Sequence, residues 1–418
     1  MQNQTRGEFK KIKELFESVY LIDDPYIIKV LVASVINQRL KGDPCWIIFV
    51  GPSGSGKSEF VNSIYKCQNL HCISTLTSHT FISGQNKGQT ETSLLLKIQN
   101  GIITFKDFTS MLSENRDERA VIMSQLREIY DGKMSKSFGT GQTVNWSGKI
   151  TVIAASTYVI HSLKQQYTAM GERFLFYNII QPDRIKSAEK AMNNQEEGDM
   201  AEKREEIATH MAKYLDEYIK IPEQSQISKI DNDLKQKLLE LSNLATMARS
   251  DVERNLRSPQ MEITDVHPAE APARFAGQLQ NYAKSLMIIN WNETGFMGLL
   301  PEDEVILYKI ALDSITKSKR IAMQELSKYD IIETSGLATK LGMPTNTVRR
   351  WLEDLVALQV ADRMKGSGPR GDKWTIKEEY RKIICKFEGI SKEGEELIEE
   401  VNNSNIISQE EIDAAMEN

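Results

Sequence analysis

The chain has 418 residues, 40% hydrophobic and 26% charged, with a formal net charge of −6. These are ordinary globular values with room for roughly two to four domains, and the acidic balance argues against a protein coated in nucleic acid. No apolar run approaches the roughly 20 residues of a bilayer span, and Met1-Gln-Asn-Gln-Thr-Arg6 has no signal-peptide character, so a soluble, cytoplasmic protein without a membrane partner is expected.

Residues 1–45 read as a helical lead-in. Phe9, Ile12, Leu15, Phe16 and Val19 recur at helical spacing, and a second helix is expected from Pro25 to Leu40 with Ile27, Val30, Leu31 and Val35 inward. Trp46-Ile-Ile-Phe-Val50 is an apolar run that suits a buried parallel strand. It runs into Gly51, Pro52, Ser53, Gly54, Ser55, Gly56, Lys57 and Ser58, a G-x-x-x-x-G-K-S loop followed by Glu59 at the start of a helix to about Tyr65. Glycines let the backbone N–H groups curl toward phosphate oxygens, Lys57 reaches the β/γ-phosphates, and the Ser58 hydroxyl suits Mg²⁺. The helix points its positive end at the same anion. The expected ligands are a nucleoside triphosphate and Mg²⁺.

Four cysteines, Cys45, Cys67, Cys72 and Cys385, form no C-x-x-C pair. Cys67, His71 and Cys72 lack a completing ligand nearby, so reduced thiols are the better reading than zinc. Leu70–Leu76 is a second strand, the segment from Ser83 to Gln89 a loop, and Gly101–Asp107 a third strand. Phosphoryl-transfer strands of this kind usually end in an Asp that orders Mg²⁺ and a Glu that orients water. Here Lys106 precedes Asp107 and Phe108 follows, so Asp107 fits either position and the sequence does not choose. Glu118–Tyr130 is a helix stopped by Gly132. Residues 133–148 suggest a hairpin, whose Lys133 and Lys136, with Lys149 just beyond, suit either DNA contact or an ordinary exposed surface. A fourth strand, Lys149–Thr157, ends in hydroxyls fit to sense the γ-phosphate. Gly171-Glu-Arg-Phe-Leu-Phe-Tyr177 places Arg173 just before a short apolar strand.

Taken together, residues 25–290 resemble the AAA+ ATPases. Gly171-Glu-Arg-Phe-Leu175 looks like the arginine-finger strand of MCM-type helicases and enhancer-dependent activators, and the hairpin matches the insert both groups carry. Asp43-Pro-Cys-Trp46, Lys106-Asp-Phe-Thr109 and the Arg173 segment are similar to MCM-like ATPases of phages and mobile elements. The resemblance implies an α/β core over 46–185 with a parallel sheet and a helical lid over 186–300. It places Thr157 in the first sensor position and Arg173 at a neighbour's nucleotide, hence a homo-oligomer, a ring of six. In the lid, Arg204–Ile219 and Leu234–Asn255 read as helices and Arg257–Ala271 as a loop. Arg274, in the first turn of the helix after Pro272, is the candidate second sensor, with Arg249 and Arg254 as competitors. The long N-terminal domain of MCM helicases is not encoded.

Residues 301–386 read as a winged-helix DNA-binding domain. Glu302–Lys317 is a helix continued by Ile321–Ser327; Ser335–Gly342, a turn at Met343–Asn346 and Thr347–Leu358 then form helix-turn-helix, with Val348, Leu352 and Leu355 inward. Two strands follow around a basic, glycine-rich loop. Thr345, Asn346, Thr347, Arg349 and Arg350 at the second helix, and Arg363, Lys365, Arg370 and Lys373 at the wing, are the candidate DNA contacts, with Trp351 and Trp374 in the core. Residues 387–418 form an acidic, solvated tail that offers a docking point for a protein partner. The resulting expectation is a ring-forming, DNA-acting ATPase motor resembling a phage or mobile-element helicase. The alternative is an ATP-switched DNA-binding initiator, loader or transposition regulator without processive unwinding. An RNA-polymerase activator fits less well, since Thr75–Leu95 holds no obvious polymerase-contacting loop.

Overall fold

The structure is a computed structural model that describes residues 7–83, 93–109, 115–139, 141, 143–163, 173–180, 183–223, 227, 229–255, 257–258, 261–366 and 371–386. The expected loop beyond Ser83, the wing residue Arg370 and the acidic tail lie outside the described residues. The chain divides into two compact units: Met1–Leu299 with Lys309–Lys317, and Leu300–Tyr308 with Ser318–Asn418.

The first unit opens with helices α1 (Glu8–Val19) and α2 (Ile27–Arg39), followed by β1 (Trp46–Val50), α3 (Lys57–Asn62), β2 (Leu70–Ile73), α4 (Leu94–Lys97) and β3 (Asn100–Phe105). Then come α5 (Arg116–Tyr130), the hairpin β4 (Lys133–Ser137) and β5 (Thr143–Ser147), β6 (Lys149–Ser156), α6 (Val159–Leu163) and β7 (Phe174–Asn178). Five strands form one parallel sheet in the order β2-β3-β6-β1-β7. All five residues of β1 are buried, because the strand pairs with β6 on one side and β7 on the other while helices cover both faces. On one face Trp46, Ile48 and Val50 join Ile122, Leu126 and the hairpin's Met134 and Trp146 in a single core. On the other, Thr151 Oγ1 donates to Gln38 Oε1 of α2 at 2.7 Å. The apolar runs of β1, β3, β6 and β7 agree with the sequence reading of these strands, while β2 ends at Ile73, three residues short of the expected Leu76.

The outer edge of β7 is closed by side chains. Phe176 N–H donates to Ser314 Oγ (3.3 Å), Asn178 N–H to Asp313 Oδ2 (2.8 Å), and Lys309 Nζ to Asn178 O (2.6 Å). Such cover blunts an edge that would otherwise recruit another strand. Just beyond, the buried Asp24 carboxylate accepts from Tyr177 Oη (2.7 Å) and from the N–H groups of Tyr26 (3.2 Å) and Ile180 (3.1 Å).

The three lysines of the hairpin region are placed unequally. Lys136 Nζ donates to Ser78 O and Ile82 O, both at 3.1 Å, and Lys149 Nζ to Asn37 O (3.0 Å) and Leu40 O (2.7 Å) at the end of α2. Both ammonium groups therefore bind the chain's own carbonyls, and of the three lysines only Lys133 is exposed.

Between β7 and Thr294 the chain departs in part from the expected helices and loop. This stretch comprises α7 (Arg184–Glu197), α8 (Met200–Lys213) with a π-turn at Tyr214–Tyr218, α9 (Asn232–Ala248), the ribbon β8 (Val252–Arg254) and β9 (Ile263–Val266), and α10 (Ala273–Thr294). Helix α9 thus stops before Asn255, and part of the expected 257–271 loop is a strand whose β-branched Ile263, Thr264 and Val266 suit pairing with β8. Helix α7, unread in the sequence, is highly charged; Asp183 caps it by accepting from the N–H groups of Ile185 and Lys186 at 2.9 Å. Helix α11 (Pro301–Asp313) contributes residues to both units.

The second unit continues with α12 (Lys317–Ser327), β10 (Ile332–Glu333), α13 (Thr334–Leu341), α14 (Thr345–Ala357), β11 (Ala361–Met364) and β12 (Lys373–Ile376). Gly342, at φ 60°, ends α13 and starts the turn into α14, whose Val348, Leu352 and Leu355 are buried. The three strands form an antiparallel sheet in the order β10-β12-β11. Trp374 is fully buried and donates from Nε1 to Thr334 Oγ1 at 2.7 Å, whereas Trp351 is half-buried. Among the described residues no helix is long and apolar enough to cross a membrane.

Replacing Asp24 with Ala strands two buried donors, Tyr177 Oη and the Tyr26 N–H, and the part-buried Ile180 N–H. The Asp24→Ala protein should lose roughly 3 kcal/mol in urea unfolding relative to wild type. A loss within about 0.5 kcal/mol of zero would refute the role given to this carboxylate.

Candidate active site

The site forms at the carboxyl ends of β1, β3 and β6, where ligands bind in open α/β sheets. The turn after β1 needs its glycines: Gly54 and Gly56 sit at φ 81° and 77°, in the left-handed region. A Cβ at Gly51 would lie 2.7 Å from Ser55 Oγ. Lys57 is buried, and its Nζ donates to Pro52 O at 2.8 Å. Burial pushes its ammonium below the usual lysine range, against the pull of the Asp107 carboxylate. Ser58 Oγ donates to Lys106 O at 3.0 Å, which joins the loop to the end of β3. Asp107 is exposed and accepts from Thr109 N–H at 2.8 Å. Thr109 Oγ1 in turn lies 3.1 Å from Ser156 Oγ and 3.3 Å from Thr157 Oγ1, and it accepts from Thr157 N–H at 3.1 Å. Finally Gly51 N–H donates to Ser156 O at 3.2 Å. Lys57, Ser58, Asp107 and Thr157 thus converge around one loop.

These donors suit the groups expected here. A hydroxyl and a carboxylate are the hard oxygen ligands that Mg²⁺ takes alongside phosphate oxygens. The glycine turn followed by an ammonium and a helix start suits a polyphosphate.

Beside Gly54, Ser55 and Gly56 opens a cavity of about 250 Å³, walled by Tyr20 from the lead-in and Arg204 from the lid. Arg204 grips Glu59 with two bonds, Nε to Oε2 at 2.8 Å and Nη2 to Oε1 at 3.0 Å. Tyr20 Oη also donates to Glu59 Oε2, at 3.1 Å. Burial and the neighbouring Glu59 carboxylate push the Tyr20 hydroxyl up to about 12. Tyr20 and Arg204 were not legible as site residues. Arg204 lies 145 positions from Glu59 in a charged helix with no motif.

Arg173 stands at the other end of the sheet. Register pairs Phe174 with Trp46, the first residue of β1, so Arg173 lies roughly 15 Å of strand away from its own phosphate loop. Its Nη2 meets both Asp131 oxygens, at 3.1 and 3.0 Å, its guanidinium lies 5.4 Å from the Tyr130 ring centroid, and its carbonyl accepts from Gln278 Nε2 at 2.8 Å. Burial lowers the Arg173 pKa, Asp131 opposes this, and the like charges of Arg274 and Arg127 add to the lowering. Arg274, one helical turn before Gln278, is ion-paired with Glu270 at 3.7 Å. It shares the Arg173 end of the sheet. Of its competitors, Arg249 is buried 4.6 Å from the Phe275 ring centroid and paired with Glu270, and Arg254 Nη1 donates to Met261 O at 2.7 Å. Among the described residues, the arginine that lines the cavity beside the phosphate loop is Arg204.

In the second unit, Thr345, Asn346 and Thr347 occupy the first turn of α14, with Asn346 exposed. Arg350 is half-buried, and Arg349 Nε donates to Glu353 Oε1 at 2.9 Å. Arg363 is turned inward: it binds Asp372 and lies 5.3 Å from the Trp374 ring centroid, while Asp372 also accepts from Gly366 N–H at 3.2 Å. It acts as a strut of the β11–β12 hairpin, its guanidinium engaged by Asp372. Lys365 and Lys373 are exposed.

Residues 47–178, from β1 to the end of β7, match the family model of the ATPase family associated with various cellular activities (AAA). This match supports an AAA+ ATPase. It spans the phosphate loop, Asp107, Thr157 and Arg173, and supports ATP binding and hydrolysis at this site. No curated protein matches the chain.

Two substitutions separate binding from chemistry. Lys57→Ala should weaken MgATP binding by at least about tenfold. Asp107→Asn should bind MgATP within about threefold of wild type but hydrolyse it roughly 10²-fold more slowly or worse, as read by calorimetry and phosphate release. Unchanged turnover in Asp107→Asn would remove Asp107 from the site.

Proposed function

We propose that the chain is a DNA-acting AAA+ motor, an MCM-like helicase of a phage or mobile element that hydrolyses ATP in a hexameric ring. The observation that carries this reading is the separation of Arg173 and Arg274 from the phosphate loop by the length of β1. An arginine held at that end serves the nucleotide of an adjacent copy. The Gly171-Glu-Arg-Phe-Leu175 resemblance and the hairpin ahead of β6 support the same reading.

In this mechanism Lys57 and the loop N–H groups hold the phosphates, and Ser58 and Asp107 would hold Mg²⁺. The metal, when bound, neutralises charge on the phosphate oxygens. Thr157, tied to Thr109, orients a hydroxyl at the γ-phosphate end. The neighbour's Arg173, with Arg274 beside it, stabilises the charge that builds on the transferring phosphoryl group. On this reading the Arg173–Asp131 pair holds the guanidinium ready at the subunit edge. DNA contact falls to Asn346, Arg350, Lys365, Lys373 and Arg370 of the second unit, with Lys133 the exposed lysine of the hairpin.

One observation favours a second reading, an ATP-switched DNA-binding initiator, loader or transposition regulator. Asp107 is followed by the buried Phe108 where a water-orienting Glu usually stands, which suits slow turnover. The two readings part on ATP turnover with and without single- and double-stranded DNA. A motor is stimulated severalfold by DNA and separates strands; a switch stays slow.

Subunit sharing has its own test. Arg173→Ala and Lys57→Ala should each be nearly inactive alone, and mixing them should restore part of the turnover, because a mixed ring contains sites with an intact loop facing an intact Arg173. No recovery in rings shown to contain both variants would sink catalysis in trans.

A further inference from the structure

We infer that Glu59 and Arg204 form an exchangeable latch: Arg204 leaves Glu59 for the phosphates of the bound nucleotide, and so couples the lid helix α8 to occupancy of the phosphate loop. This rests on reading Gly51–Ser58 as the nucleotide loop. The geometry brings three elements to one carboxylate. Glu59 lies in the first turn of α3, directly after Ser58; Arg204 comes from α8 and Tyr20 from the end of α1. All three wall the cavity that opens beside Gly54 and Gly56.

Charge makes this arrangement responsive. A polyphosphate seated on Gly54–Ser58 brings several negative charges beside Glu59, which repels them and competes with them for Arg204. The guanidinium has five N–H donors, and Glu59 engages it through Nε and Nη2 only. The pair is also open to solvent, with 44% of the Arg204 and 31% of the Glu59 side chain exposed, so an incoming anion reaches the guanidinium and water screens the pair. Transfer to phosphate exchanges one bidentate, charge-assisted contact for another of higher charge. Tyr20 Oη stays on Glu59 Oε2, so the carboxylate is not left without a donor.

Helix α8 has a second hold, on the turn that follows α3, that the exchange does not break. Tyr65 Oη bonds Glu205, Lys66 Nζ pairs with Glu205, and Lys66 Nζ donates to Thr209 Oγ1 at 2.8 Å. These contacts keep the lid helix against the loop while Arg204 changes partner, so loss of the Glu59 bond alone does not release the lid.

The test is a double-mutant cycle on the full chain, with MgATP affinity read by calorimetry. Arg204→Ala should weaken MgATP binding about tenfold, and Arg204→Lys should recover part of it. Glu59→Gln should tighten binding about threefold in the presence of Arg204 and leave it unchanged in the Arg204→Ala background. Weaker binding in Glu59→Gln would make the pair a fixed strut and overturn the latch. Equal tightening in both backgrounds would reduce Glu59 to general repulsion and overturn it too, as would Arg204→Ala binding MgATP like wild type. Failure of the underlying reading looks different: Lys57→Ala would then bind MgATP as wild type does.

Discussion

Strand β1 is the constraint on which the rest depends. It is covered on both faces and paired on both sides, so its direction and register cannot change without unpacking the core. Its carboxyl end delivers the glycine turn to the ends of β3 and β6, where Ser58 binds Lys106 O and Gly51 binds Ser156 O. Its amino end, through β7, fixes Arg173. One buried strand therefore sets both the position of the phosphate loop and the distance of the arginine from it. The chemical consequence follows from length alone: loop and arginine cannot meet within one copy.

The parts of this arrangement that were legible in the sequence are those whose signal is local. The β1 run, the loop and its glycines are contiguous, and each residue type has one physical reason to be there. The sheet strands were readable because strands buried on both faces are continuous apolar runs. The lid was less legible because its elements are short, charged and stabilised by distant partners. Helix α7 carries little apolar periodicity, and the β8–β9 ribbon pairs the end of a segment that reads as helix with part of one that reads as loop. Arg204 illustrates the limit: nothing in its neighbours distinguishes it from other charges on α8, and only the fold brings it to Glu59.

Cationic residues were the least readable class, because a Lys or Arg has the same sequence signature whether it faces solvent or binds its own chain. Lys136 and Lys149 look like an exposed basic hairpin, yet both bind backbone carbonyls. Arg363 looks like a wing contact, yet Asp372 and Trp374 hold it inward. In each case the deciding partner is an acceptor whose place is set by tertiary structure: the carbonyls of Ser78 and Ile82, those at the end of α2, or the buried carboxylate of Asp372. Positive charge in a motif thus measures potential for anion binding only after these internal demands are met.

The same accounting separates the arginines of the first unit by role. Arg249 is buried on an aromatic face and paired with Glu270, which is what an immobile structural guanidinium needs. Arg173 has a buried stem but a partner, Asp131, whose side chain is 56% exposed. A phosphate carries more charge than that carboxylate and presents more acceptor oxygens, so it can compete for the guanidinium without first drying a buried pair. Arg204 is held in the same manner, by a carboxylate that is itself partly in solvent. On the proposed reading, the two arginines at opposite ends of the sheet share one design: a defined position given by the fold, and an acidic partner open enough to solvent to be exchanged.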